Sequence, residues 1–166
     1  MKSKRWFWVA LAAAVVAAGC GYTMRPLHRT DVRTVAVAIF ASKEFRRELE
    51  FDLSRELVKT IEMRTPYKVV QDPKRADSEI RGEILIFLAP VLTENVRTNT
   101  SMEVEVTLIA WFEWKDLRTG EILARREEVS GAGAYAPAIG ETQNSATSDA
   151  IWRLARRIVE YMEKPW

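Results

Sequence analysis

The alternation of apolar residues from Met102 to Trp114 is the feature that most limits how this chain can fold. Side chains of a β-strand point alternately to two faces, so this pattern predicts a long strand with one apolar face. Residues 115–120 (KDLRTG) predict a turn, and residues 121–130 predict the returning strand of a hairpin. An apolar sheet face of this length needs a second layer to cover it.

Two amphipathic helices are predicted to form that layer. In residues 43–63, apolar side chains recur every four positions while the remaining positions carry mixed charges. A second helix is predicted from residue 141 or 145 to residue 163. The first stripe comprises Phe45, Leu49, Leu53, Leu57 and Ile61, and the second comprises Ala150, Ile151, Leu154, Ala155, Ile158, Val159 and Met162.

The remaining apolar segments are predicted to complete one sheet. Strands are expected at residues 34–40, 67–71 and 78–88, the last with Ile80, Gly82, Ile84, Ile86 and Leu88 on one face. Residues 91–101 and the glycine-rich residues 131–140 are expected to be loops. The predicted fold class is α+β, with two amphipathic helices packed on one face of a four- to five-stranded mixed sheet.

The N-terminal region has the features of a lipoprotein signal. Lys2, Lys4 and Arg5 precede an apolar run that ends in Ala-Gly-Cys at Cys20, the chain's one cysteine. The run is shorter than the roughly 20 apolar residues that span a bilayer. We therefore predict a signal peptide over residues 1–19, acylation of Cys20, a lipidated tether over residues 20–33 and a single domain over residues 34–166. The alternative is an ordinary secretory signal followed by a free cysteine.

Removal of the signal peptide changes the charge of the chain. Without Lys2, Lys4 and Arg5, the 25 basic residues fall to 22 against 23 acidic residues, so the formal charge drops from +2 to −1. No basic excess remains that would indicate a nucleic-acid partner. Acyl chains would hold the domain at a membrane surface. Gly21 follows the cysteine where Asp favours inner-membrane retention in enterobacteria, so we expect the periplasmic face of the outer membrane.

The residue types needed for catalysis are not grouped in this sequence. His28 has no cysteine or acidic neighbour at metal-ligand spacing, and no serine stands in a nucleophile-elbow setting. Glu103 and Glu105 share a strand face, but an exposed sheet face is the simpler interpretation. We therefore expect no enzymatic activity, no metal and no cofactor.

Aromatic and basic residues near the predicted hairpin turn allow two interpretations. Trp111, Phe112 and Trp114 are close in sequence to Lys115 and Arg118, and such a group could bind an amphiphile through its acyl chains and phosphates. Alternatively, the aromatic residues form cross-strand pairs at a sheet edge or in the core.

Several motifs together resemble one family. They are Cys20-Gly21-Tyr22, the strand over residues 34–40 with its charged helix, Ala76-Asp77 before Glu79-Ile80-Arg81-Gly82, the long strand with Thr119-Gly120, and the final helix with Asp149-Ala150 and Leu154-Ala155. The chain is similar to the LptE family of lipopolysaccharide-assembly lipoproteins. The resemblance implies a plug and chaperone for the outer-membrane β-barrel (LptD-like) that inserts lipopolysaccharide, and direct binding of that lipid.

The basic residues that bind phosphate in the family do not align to a distinctive motif in this chain. From their position in or after the hairpin turn, we predict Lys115, Arg118, Arg125 and Arg126 as phosphate contacts. Two other functions remain open: a lipoprotein subunit of an outer-membrane secretion or export pore, and a periplasmic ligand-binding lipoprotein. A co-purifying barrel, a homo-oligomeric ring or the absence of a partner would distinguish the three.

We predict that replacing Cys20 by Ser abolishes acyl labelling and releases the protein into the soluble fraction, because the thiol is the attachment point for lipid. Metabolic labelling with a palmitate analogue and fractionation measure both effects. Replacing Ser3, which lies before the cleavage site, by Ala is the control and should change neither. Unchanged membrane attachment of the Cys20→Ser protein would contradict the prediction.

Overall fold

A computed structural model describes residues 27–42, 47–95 and 100–163 of the chain, with side chains described except at residues 47, 93–95 and 100–102. The predicted signal peptide, Cys20 and the first part of the tether lie outside these residues.

The described residues form two α-helices and a seven-stranded mixed sheet, which confirms the predicted α+β class with slightly more strands than expected. Single-turn 3-10 helices occur at Pro73–Arg75 and Pro137–Ile139. The strands are β1 (Thr34–Val37), β2 (Ala41–Ser42), β3 (Lys68–Val70), β4 (Ser78–Leu88), β5 (Val91–Asn95), β6 (Thr100–Asp116) and β7 (Ile122–Tyr135), and the helices are α1 (Arg47–Arg64) and α2 (Gln143–Glu160).

Strand β6 occupies the centre of the sheet. Along one edge it pairs antiparallel with β4 and β5, and along the other it pairs antiparallel with β7. Strands β1 and β2 run parallel to β4, and β3 runs parallel to β1 at the outer edge. The sheet therefore has a parallel side, where β1 and β2 join β4 and β3 joins β1, and an antiparallel side around the long hairpin of β6 and β7.

Both helices pack on the same face of the sheet, as the sequence predicts. Leu53, Leu57 and Ile61 of α1 are fully buried, and the whole predicted stripe of α2 lies in the core. The sheet contributes the inward-facing side chains of β6, which alternate with more exposed ones except at Glu113, which is also buried. Those inward-facing residues are Val104, Val106, Leu108, Ala110, Phe112 and Trp114.

The predicted apolar face of β4 is correct only for its first half. A bulge between Ile84 and Ile86 adds one residue to β4 and reverses the direction of the following side chains. Consequently Ile86 and Leu88 are exposed, while Phe87 packs against the core. The strand predicted over residues 34–40 also ends early, at Val37.

Two segments predicted as loops contain strands instead. Val91–Asn95 pairs with the start of β6, and residues 131–135 extend β7 beneath α2. A Cβ atom on Gly131 would lie 2.2 Å from the carbonyl oxygen of Ala150, and one on Gly133 would lie 2.2 Å from that of Ala146. These glycines are therefore strand residues that let the helix backbone approach the sheet closely.

Aspartates join the start of β1 to the hairpin turn. Asp77 accepts hydrogen bonds from the backbone N–H groups of Arg33 (2.9 Å) and Thr34 (3.0 Å), and its own N–H donates to the Thr34 hydroxyl (2.8 Å). The bond from Arg33 is the main reason that the pKa of Asp77 is lowered, against the opposing effect of burial. The carboxylate thus fixes the start of β1 to the start of the neighbouring strand β4.

Asp116 plays a similar part in the turn itself. Its carboxylate accepts the N–H groups of Arg118 (2.7 Å) and Thr119 (3.1 Å) and pairs with the Arg118 guanidinium at 3.1 Å. Desolvation is the largest influence on the pKa of Asp116 and raises it, but the hydrogen bonds from Arg118 and Thr119 together outweigh it and lower the pKa. The turn is therefore built around a buried, ionised carboxylate.

We predict that Gly131→Ala destabilises the fold by about 1–3 kcal/mol, because the added methyl group would push α2 away from β7. Without that contact, replacing a strand glycine by alanine should stabilise the folded protein by about 0.5–1 kcal/mol. The sign of the change in unfolding free energy is therefore the test. Chemical denaturation measures it. Ala134→Ser adds one atom at an exposed position of the same strand and should be nearly neutral. A stabilised Gly131→Ala protein would contradict the close contact.

We predict that Asp77→Asn costs about 1–3 kcal/mol at pH 7, because the two backbone donors lose their charged acceptor. The folded-state pKa lies below the unfolded value of about 3.9, so the contribution of Asp77 is present above that pH and disappears as pH falls through the folded pKa. The free energy of unfolding should therefore fall less steeply with acid in the variant.

Denaturation curves between pH 7 and pH 2 measure this difference. Asp52→Asn is the matched control, because Asp52 is exposed and its partner is the exposed side chain of Arg55. Parallel acid profiles for the wild type and Asp77→Asn would rule out this role for Asp77.

Candidate functional site

The four predicted phosphate contacts do not form one cluster. Arg118 belongs to the turn and is committed to the fold: besides Asp116, it lies 4.0 Å from Asp77 and donates a 2.8 Å hydrogen bond to the Asp31 carbonyl. These carboxylates raise the pKa of Arg118, with the Asp116 hydrogen bond as the largest cause. Its charge is largely balanced within the protein.

Lys115 and Arg125 lie on the sheet face opposite the helices, which we call the open face (Arg81, Glu83, Trp111, Glu113 and their neighbours). Arg125 lies 3.8 Å from Glu113 and 3.0 Å from Glu127, and Arg81 contacts Glu113 at 2.7 Å. Lys115 is opposite Glu79 in the ladder and forms no ion pair with another described residue.

Arg126 lies on the helix side of the sheet. A bulge in β7 brings it opposite the buried Phe112, and its guanidinium stacks 4.5 Å from the centre of the Tyr161 ring. The open face and Arg126 are therefore separated by the thickness of the sheet. One phosphate group could not contact all four predicted residues at once.

The aromatic cluster predicted near the turn is mainly part of the core. Phe112 and Trp114 are fully buried, and the Trp114 indole N–H donates to the Ser78 hydroxyl at 2.9 Å. Only Trp111 lies on the open face, where its indole N–H donates to Glu83 at 3.0 Å. The core interpretation is therefore correct for two of the three residues.

A groove between α2 and the free edge of β7 carries charge that the sequence interpretation missed. Arg153 donates to the carbonyl of Ala132 and Arg157 to that of Ser130, each at 2.8 Å. Both acceptors are neutral, and neither guanidinium pairs with a carboxylate among the described residues. The groove has a volume of about 350 Å³ and is lined by Ser130, Gly131, Ala132, Trp152, Arg153, Arg156, Arg157 and Glu160.

One exposed aromatic residue, Trp152, lines this groove. Arg156 stacks 5.6 Å from the Trp152 ring and pairs with Glu160 at 3.1 Å, while Glu160 also reaches Arg64 of α1 at 3.7 Å. The spacing of Arg153 and Arg157 by four residues, with Trp152 outside the apolar stripe, is the sequence signal that could have revealed this site.

Other candidates for chemistry are isolated in the structure. The His28 ring packs edge-on against Tyr67 with centroids 5.8 Å apart, and the buried Nδ1 has no hydrogen-bond partner. Over the described residues, no group of His, Cys, Asp and Glu side chains could hold a metal ion. In the same part of the chain, neither helix combines the length and apolar character needed to cross a bilayer.

Solved structures share this fold at low sequence identity. Protein CT253 from Chlamydia trachomatis superposes with a TM-score of 0.54 and 15% identity over 79% of this chain and 98% of its own. A PelC dodecamer from Paraburkholderia phytofirmans superposes with a TM-score of 0.51 and 13% identity, over 86% of this chain and 96% of its own. Lipoprotein B from Nitrosomonas europaea superposes with a TM-score of 0.51 and 14% identity, over 83% of this chain and 90% of its own. At this identity the likeness concerns the fold alone.

No curated protein sequence matches this chain. The sequence profile of the LptE family, described as lipopolysaccharide-assembly, matches residues 32–163 and so covers the two helices and all seven strands. The resemblance drawn from sequence motifs is thereby confirmed, and the chain belongs to the LptE family.

Proposed function

We propose that this protein is a lipoprotein of the outer membrane, anchored at its periplasmic face through Cys20, that assists lipopolysaccharide assembly. It acts as the plug-like partner of the lipopolysaccharide-inserting β-barrel and works by binding, without catalysis. The observation that carries the proposal is the family match over residues 32–163.

The distribution of surface charge supports a plug. The lumen of a large barrel is polar, so a body that fills it needs mixed charges on its outer surface. The outer face of α1 offers ion pairs between Arg55 and Asp52 (3.5 Å) and between Lys59 and Glu56 (3.4 Å). The open face adds the cluster of Arg81, Glu113 and Arg125.

We also propose that the protein binds lipopolysaccharide through its phosphates. Lys115, Arg118, Arg125 and Arg126 remain the candidates from the sequence. Arg118 and Arg125 would have to exchange carboxylate partners for phosphate, which lowers the net gain. Arg153 and Arg157 carry charges that no described carboxylate balances, so they join the candidates.

We predict that depletion of the protein lowers both the amount of correctly assembled barrel and the surface lipopolysaccharide, because a plug stabilises the barrel it fills. Quantitative immunoblotting and surface lipid labelling measure the two effects. Affinity purification of the acylated protein should recover the barrel. Recovery of a homo-oligomeric ring would favour an export pore, and normal levels of both products after depletion would reject the proposal.

Lipid binding can be separated from barrel assembly with charge-neutralising pairs. We predict that two double variants leave barrel assembly normal and reduce surface lipopolysaccharide. One combines Arg153→Gln with Arg157→Gln, and the other combines Lys115→Gln with Arg126→Gln. Arg118 is unsuitable, because its replacement also removes hydrogen bonds of the turn. Arg55→Gln with Lys59→Gln removes the same charge from α1 and serves as the control. Unchanged lipid levels in both test pairs would exclude these phosphate contacts.

A further inference from the structure

The end of the sheet at the turn Leu117–Thr119 is also where the tether joins the body; we call it the hairpin end. Val32 is buried in the core, the backbone N–H of Arg29 donates to the Tyr67 hydroxyl at 2.8 Å, and Arg118 holds the Asp31 carbonyl at 2.8 Å. The last residues of the tether are thus fixed to the body. Only the peptide before them separates the body from the anchor.

That peptide is short. Seven residue steps separate Cys20 from Leu27, and a fully extended chain of this length reaches at most about 25 Å. The opposite end of the sheet lies about 40 Å away along β6, from the usual rise of a strand over the residues between Asp116 and Val104. An acyl chain on Cys20 therefore keeps the hairpin end, more than any other part of the body, close to the bilayer.

Exposed apolar side chains occur at this end. Leu27 and Leu117 are each 38% exposed, and Ile122 is 48% exposed. The turn is joined to the sheet by the Leu117 N–H, which donates to the Asp77 carbonyl at 2.8 Å, and Ile122 lies opposite Lys115 in the hairpin. Single exposed apolar residues are common on protein surfaces. Here all three lie at the end of the sheet where the described part of the tether meets the body.

Basic side chains also occur at this end of the sheet. Arg33 and Lys68 stand at the beginnings of the paired strands β1 and β3, and Lys74 and Arg75 precede β4 in a 3-10 turn. All four are exposed, and within the described part of the chain none forms an ion pair. Long basic side chains can hold their charge among lipid phosphates while their methylene groups contact apolar surface.

We propose that the hairpin end is a membrane-contact surface that rests in the headgroup region of an anionic bilayer. Leu27, Leu117 and Ile122 enter the interface, and the four cations lie among the phosphates. This surface sets the orientation of the anchored body and leaves the opposite end pointing away from the lipid. The inference depends on acylation of Cys20, but it requires neither the barrel nor lipopolysaccharide.

The position of spin labels relative to the bilayer tests this orientation. Cys20 is the chain's one cysteine, so once acylated it leaves an introduced cysteine as the single labelling site. Thr119→Cys reports on the hairpin end. Ile139→Cys reports on the opposite end and is the matched control, because Ile139 is 77% exposed. The full-length protein, processed and acylated in cells, is reconstituted into vesicles of phosphatidylcholine and phosphatidylglycerol.

The label at position 119 is expected to show a severalfold higher ratio of oxygen to water-soluble nickel collisions than the label at position 139. Adding Leu117→Ser and Ile122→Ser should reduce the ratio at position 119, while an unchanged melting temperature shows that the fold is intact. Vesicles of phosphatidylcholine alone should give a smaller ratio, because the cations then meet no net negative charge.

Equal ratios at the two positions, or a higher ratio at position 139, would overturn the proposal. So would a mass spectrum in which the processed protein carries no acyl chain, because the short tether would then have no anchor. These vesicles contain no barrel and no lipopolysaccharide. Failure of the orientation is therefore independent of failure in the depletion experiment.

Discussion

Coverage of the apolar face of β6 is the constraint on which the rest of the structure depends. Six inward-facing side chains, from Val104 to Trp114, lie at or below 6% exposure, and no single neighbouring element could bury them all. Strands β4, β5 and β7 widen the sheet around this row, and α1 and α2 close it from one side. The close approach of α2 at Gly131 and Gly133 completes this layer, so backbone contact as well as side-chain packing holds the core.

The same arrangement explains how the charges are distributed. Once both helices lie on one face, ionisable residues remain on the outer helix surfaces, on the open face and at the ends of the strands. Most of the arginines at the strand ends and on the open face find carboxylates there, as Arg81 and Arg125 do around Glu113. Arg153 and Arg157 of α2 instead donate hydrogen bonds to carbonyls of the edge strand β7. They cover a row of backbone acceptors that would otherwise be available to a strand from another chain.

The two ends of the sheet differ in how they relate to the tether. At the hairpin end, the part-buried carboxylate of Asp77 and the buried carboxylate of Asp116 hold the tether, β1, β4 and the turn together. This hydrogen-bonded end is the one nearest the proposed anchor. Toward the opposite end, the long hairpin extends beyond the parallel strands, and this is the part of the body that a short tether leaves free to reach a partner.

The periodic segments could be predicted from sequence, and the reason is physical. Burial of one face of a regular element leaves a periodic pattern that a single segment encodes by itself. Such patterns are the alternation in β6, the stripe of Leu53, Leu57 and Ile61 in α1, and the stripe of Leu154 and Ile158 in α2. The class of fold and the family resemblance followed from such segments. The proposed acylation of Cys20 likewise rests on the residues just before it.

Features that depend on two distant segments were decided only by the tertiary structure. The bulge at Ile84 is set by pairing with β6 and turned Ile86 outward. Gly131 and Gly133 indicated a loop because glycine weakens an isolated strand, but contact with α2 reverses that preference. Arg118 looked like a free cation in a turn, yet Asp77 and Asp31, far away in sequence, engage it. Local sequence encodes local periodicity, whereas charge pairing and close approach require the complete fold.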